Sequence, residues 1–133
     1  MKSATTPVLP GGLALDLPRD ASSVAFARHE LRRLRGELPA GRLAELQLVV
    51  TELVTNALLH GQGAIRLDVQ VALHGVRGAV GDEGGGFAYK LRAWGPEAAS
   101  GRGLQIVAAL TTAWGVHEGI SLVWFEMGSP PAL

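Results

Sequence analysis

Glu52, Asn56 and His60 stand four residues apart in the segment TELVTNALLH. On a helix, that spacing aligns the three polar side chains along one face. A carboxylate there can take a proton from a water or from an incoming hydroxyl. A carboxamide oxygen is the hard kind of ligand that Mg²⁺ accepts beside substrate phosphates. An imidazole in a helix's last turn suits the free carbonyls and the dipole of that end. Downstream, Asp82 in VGDEGGG can accept a hydrogen bond from an exocyclic amine such as that of adenine. Gly84, Gly85 and Gly86 let a flat base or a phosphate approach bare backbone, while Glu83 is expected to be solvated. Gly101 and Gly103 in GRGLQIV open an apolar run, where helix N-terminal N–H groups can hold an anion and Arg102 can reach a phosphate. Each motif has a plainer reading as well: a solvated helix stripe, a tight Asp-Gly turn, a helix start. The six-residue dinucleotide fingerprint and the P-loop are both absent. In this order, the three motifs read as a nucleotide site.

The elements that must carry these residues follow from periodicity. Leu13, Leu15 and Leu17 alternate as in a short strand that Pro18 ends. Asp20 or Ser22 can cap the next helix, with Val24, Phe26, Ala27, Leu31 and Leu34 as its apolar stripe and Arg28, Arg32, Arg33 and Arg35 outside. Gly36 and Pro39 close it. From about Arg42 the pattern is helical again, with Leu43, Leu46, Val50, Leu53, Val54 and Ala57 buried and Gly61 as C-terminal cap. In AIRLDVQVAL the period drops to two, which predicts a half-buried antiparallel strand. Gly75 turns the chain into a second strand that ends at Asp82. Residues 87–100 have no clean period and form a lid candidate, in which Trp94 could touch a partner. Leu104 to Leu110 predicts a helix that starts on the glycines. Ala113–Val116 and Ser121–Met127 predict two strands turning near Glu118–Gly119, with Trp114, Trp124 and Phe125 as core or strand packing. The order β-α-α-β-β-lid-α-β-β predicts an α+β fold, a two-layer sandwich of helices on one mostly antiparallel sheet.

Composition narrows the classes. At 133 residues and 47% hydrophobic side chains, the chain is expected to form one domain over residues 13–128. A flexible leader is expected over 1–12 and a short tail over 129–133. A domain of this size buries about 68% of its unfolded surface, enough for one core without staples. The chain has no cysteine, which excludes disulfides and thiolate metal sites and agrees with a cytoplasmic setting. Twelve basic residues balance twelve acidic ones, so nothing argues for nucleic acid or an anionic membrane as partner. The apolar runs are too short to span a bilayer, and the first twelve residues do not read as a signal peptide.

A helix with E-x-x-x-N, a strand ending in D-x-G-x-G and a G-x-G-L helix start, in that order, resemble the GHKL ATP-binding superfamily, the Bergerat fold. ELVTNALLH looks like its N box, DEGGG its first glycine box and GRGLQIV its second. Within the superfamily the chain is most similar to the stand-alone anti-sigma-factor serine/threonine kinases of actinobacterial type. AWGV and VWFEM carry that likeness further, and it runs from about Leu13 to Met127.

The resemblance implies an ATP pocket between sheet and helices, closed by the lid. Asn56 would ligand Mg²⁺, Asp82 would bind the adenine amine, and Gly84 and Gly86 would shape the base pocket. Gly101, Arg102, Gly103 and Leu104 would contact phosphates, and Glu52 falls at the position of the general base. The partners implied are a sigma factor and an anti-anti-sigma protein, the latter phosphorylated on serine or threonine; a homodimer is also implied. One departure stands out. Relatives commonly carry a Gly-Lys-Thr-like stretch before VWF, whereas Gly119-Ile120-Ser121-Leu122 stands here, so a hydroxyl beside Asp82 is expected to be missing at Leu122. Few basic residues, Lys90 and Arg92, stand in the lid. Two other functions fit the same residues: a module that sequesters a regulatory protein without turning over ATP, and a histidine-kinase-type ATPase acting in trans.

Overall fold

The computed structural model describes residues 12–72, 75–84, 102–117 and 120–128, with the side chains of 102 and 103 left aside. The leader, the lid candidate at 87–100, the turn at Glu118–Gly119 and the tail lie outside the described residues.

Among the described residues, five strands and three helices follow in the expected order. They are β1 (Gly12–Leu17), α1 (Ser22–Glu30) with a 3-10 turn (Leu31–Leu34), α2 (Ala40–His60), β2 (Ile65–Ala72), β3 (Gly75–Asp82), α3 (Arg102–Leu110), β4 (Ala113–Val116) and β5 (Leu122–Gly128). The strands form one sheet in the order β1-β2-β3-β5-β4, and every neighbouring pair is antiparallel. Helices cover one face, as α1 and α3 pack against α2 and α2 against β2 and β3.

Helix α2 is the spine. Leu43, Leu46, Val49, Val50, Leu53, Val54 and Ala57 are all buried, a stripe at helical spacing that meets the inward positions of the strands. Strand alternation supplies the other half: Ile65, Leu67 and Val69 from β2, Val76 and Val80 from β3, and Val123, Phe125 and Met127 from β5. The fully buried Phe125 ring lies over Gly78, its cross-strand neighbour, where a side chain would come within 2.7 Å of the ring's Cε2.

One packing expectation is corrected, and another is met on the outer face of the sheet. Phe26, placed in the apolar stripe of α1, is 49% exposed, because the buried line of that helix runs through Ser23, Ala27 and Leu31 instead. Trp124 is 36% exposed on the open face of the sheet. The period of two that buries Val123 and Phe125 turns the residue between them outward. There Trp124 covers Gly115, whose absent side chain leaves room for the indole. The same open face carries Arg66 between Asp16 at 3.0 Å and Asp68 at 3.3 Å, tying β1 to β2 across the surface.

Candidate functional site

The α2 stripe that buries its leucines and valines also fixes its polar line. Glu52 is half-buried, and Asn56, one turn on, is 2% exposed, its Nδ2 without a hydrogen-bond acceptor among the described residues. Buried amides nearly always find partners, and an orphaned one costs free energy.

Asp82 ends β3 opposite Ile65, the first residue of β2. Its Oδ1 accepts the N–H of Gly84 at 2.7 Å and that of Gln62 at 3.3 Å, and its own N–H donates to Ser121 O at 2.9 Å. One carboxylate oxygen is therefore pinned by the backbone on either side. Gly61 explains the closeness of α2. A Cβ there would overlap Oδ2 of Asp82 and lie 2.5 Å from its Cγ. The expected C-terminal cap is thus glycine for a different reason. Its φ of −95° is extended rather than left-handed, and what excludes a side chain is the carboxylate.

The turn from α2 into β2 is fastened at three further points. Glu83, expected to be solvated, accepts the Ala64 N–H on Oε1 at 2.9 Å, and its own N–H donates to Gln62 O at 2.8 Å. Gly63 passes beneath it at φ 68°, where a Cβ would come within 2.8 Å of the Glu83 side chain. Two of the last carbonyls of α2, and one in the turn beyond, are taken by Arg19. Its guanidinium donates to Leu58 O at 2.6 Å, Ala57 O at 2.8 Å and Gly63 O at 3.1 Å. No signal in the sequence marked Arg19, since its partners are main-chain oxygens far along the chain.

Ser121 is the other residue that sequence reasoning missed. It is buried, and its Oγ lies 3.5 Å from where a Cβ on Gly84 would stand, beside the Asp82 carboxylate. The hydroxyl sought at Leu122 is supplied one residue earlier. The signal was available in Ser121-Leu122-Val123: with Val123 buried, period-two alternation turns Ser121 inward and Leu122 away.

The structure thus brings Asp82, Gly84 and Ser121 together, and Gly61 at the end of α2 meets Asp82; Asn56 and Glu52 stand further back along that helix. Leu104, in the first turn of α3, packs its side chain against the core, so any anion contact there falls to main-chain N–H groups. Gly85, Gly86 and Gly101 lie outside the described residues, as do the side chains of Arg102 and Gly103.

Residues 17–125 match the family model of the histidine kinase-like ATPase domain. The chain belongs to that family. It is accordingly an ATP-binding domain of the kinase-like ATPase class, and the helix-on-antiparallel-sheet fold agrees. No curated protein matches it. None of the described helices is long and apolar enough to cross a membrane.

Proposed function

We propose that this histidine kinase-like ATPase domain is an anti-sigma factor acting as a serine/threonine kinase on an anti-anti-sigma partner, with Mg²⁺-ATP as phosphoryl donor. The observation that carries the nucleotide half is the Asp82 carboxylate, held at the end of β3 by the N–H groups of Gln62 and Gly84 and backed by Gly61 at the end of the helix that carries Asn56. The family supports ATP. The kinase half rests on Glu52 one turn earlier and on the likeness of TELVTNALLH, GRGLQIV and VWFEM to those kinases.

Bound Mg²⁺-ATP supplies the transferable γ-phosphoryl group and neutralises its charge. This chain's residues do the rest. The Oδ1 of Asn56 is the oxygen donor available to the metal. Asp82, its Oδ1 already held by Gln62 and Gly84, presents a fixed acceptor edge to the adenine amine, with the Ser121 hydroxyl beside it. Glu52 would accept the proton of the partner's serine or threonine hydroxyl as that oxygen bonds to the γ-phosphorus and the bond to the β-phosphate oxygen breaks, releasing ADP. Phosphorylation of the partner then decides whether this chain holds it or holds the sigma factor.

Titration calorimetry with ADP and ATP, with and without Mg²⁺, followed by labelled-phosphate transfer to candidate partners, tests this. Glu52→Ala is expected to abolish transfer while nucleotide binding persists; a full transfer rate in that variant would remove the base. Nucleotide binding without transfer to any partner would favour a sequestering module.

A further inference from the structure

We infer that Arg19 is a positioning residue for base recognition: it acts through the turn after α2 to hold the Asp82 carboxylate in register with an adenine amine. The inference rests on the reading of Asp82 given above. Arg19 sits at the corner between β1 and α1, far along the chain from the site it touches. Its three hydrogen bonds span the last turn of α2 and the turn beyond, from Ala57 O and Leu58 O to Gly63 O. A guanidinium is a planar fork with donors in fixed directions, so it sets the relative positions of the carbonyls it bridges, which a flexible ammonium cannot do. Its charge also complements the negative end of α2.

From those carbonyls the restraint passes to Asp82 in two steps. Ala57 O also accepts the Gly61 N–H at 2.8 Å, so the oxygen that Arg19 grips is the one that places Gly61. Gly61 in turn backs directly onto Oδ2, while Gln62 N–H donates to Oδ1. Glu83 closes the turn from the opposite side through Ala64 N–H and Gln62 O. The segment 61–64 is therefore gripped between a cation outside and a carboxylate behind, and its inner edge is the seat of the Asp82 side chain. Releasing the outer grip frees Gly61 and Gln62 to shift by tenths of an ångström, enough to turn the carboxylate out of line.

Calorimetry with ADP and with inosine diphosphate, which carries an oxo group where adenine has its amine, reads this position directly. The wild type is expected to prefer ADP. Arg19→Ala is expected to narrow the ADP-to-inosine-diphosphate affinity ratio by roughly three- to tenfold, the scale of one hydrogen bond. Arg19→Lys keeps the charge at the helix end but cannot bridge the three carbonyls. It is expected to narrow the ratio less, and it serves if the alanine variant does not fold. A general loss of structure would weaken both nucleotides together and leave the ratio alone. An unchanged ratio in the folded variants overturns the positioning role. A wild type with no preference overturns the adenine role of Asp82, and this inference falls with it.

Discussion

An amide buried with no acceptor is a local cost of roughly 1–3 kcal/mol, and at Asn56 that cost is incurred on the helix that otherwise builds the core. Asn56→Leu, which removes the polar group at similar size, is therefore expected to leave the nucleotide-free protein as stable as before or more so. The same change is expected to abolish Mg²⁺-dependent nucleotide binding. Urea denaturation beside calorimetry checks both; a clear loss of stability would mean that the amide has a structural partner. Gly61→Ala works in the opposite sense. Its methyl group enters the space of the Asp82 carboxylate, so a destabilisation of about 1–3 kcal/mol is expected, together with weakened ADP binding. An alanine variant with wild-type affinity would show that the carboxylate moves aside freely.

At the scale of elements, helix ends decide how the site is held. Asp20 Oδ1 accepts the Ser22 N–H at 2.9 Å at the start of α1, and that hydrogen bond holds the Asp20 carboxyl below its ordinary value of 3.8. A lowered folded-state value means that the stabilisation is present above the unfolded value and fades as pH falls through the folded one. Wild-type stability should thus drop between pH 4 and more acidic conditions by a component that Asp20→Ala lacks, measured as the difference between the two denaturation midpoints across that range. A constant difference would show that the cap does not titrate.

The elements themselves were legible because their periods are clean. The leucines and valines of α2 recur at helical spacing, and those of β2 and β3 alternate. The placement of the candidate residues was legible for a related reason: Asn56 falls in the last two turns of α2 and Asp82 ends β3, both strongly patterned elements. What stayed hidden depends on pairs remote in sequence. Arg19 meets carbonyls on α2, Gly61 meets a carboxylate on β3, and Phe26 faces outward because α1 turns on the packing of its neighbours. Ser121 is the intermediate case, readable by counting back in steps of two from Phe125.

For the whole molecule, the proposed nucleotide site lies where α2 meets the end of β3, so ligand and fold would be linked by mass action. A nucleotide at a hundred times its Kd is expected to stabilise the protein by about 2.7 kcal/mol. Thermal melts at rising ADP should move upward in the wild type and stay put in Asp82→Asn. An Asp82→Asn protein whose melt rises like the wild type would separate the carboxylate from nucleotide binding. Since Arg66, Asp16 and Asp68 are exposed, their network should contribute only about 0.2–1 kcal/mol per pair and weaken in salt, leaving the ligand term dominant.

The register of β1 has a consequence for assembly in time. Leu17 pairs with Ile65 and Gly12 with Gln70, so β1, made before α2, has no strand partner among the described residues until all of α2 and most of β2 have been made. Helix α2 and the β2–β3 hairpin close through local contacts, whereas docking β1 requires a long loop to be shut and comes late. Arg19 rides at the end of that strand. On the positioning role inferred for Arg19, the seat of Asp82 is therefore completed only once β1 has docked, by a segment synthesised before everything it grips.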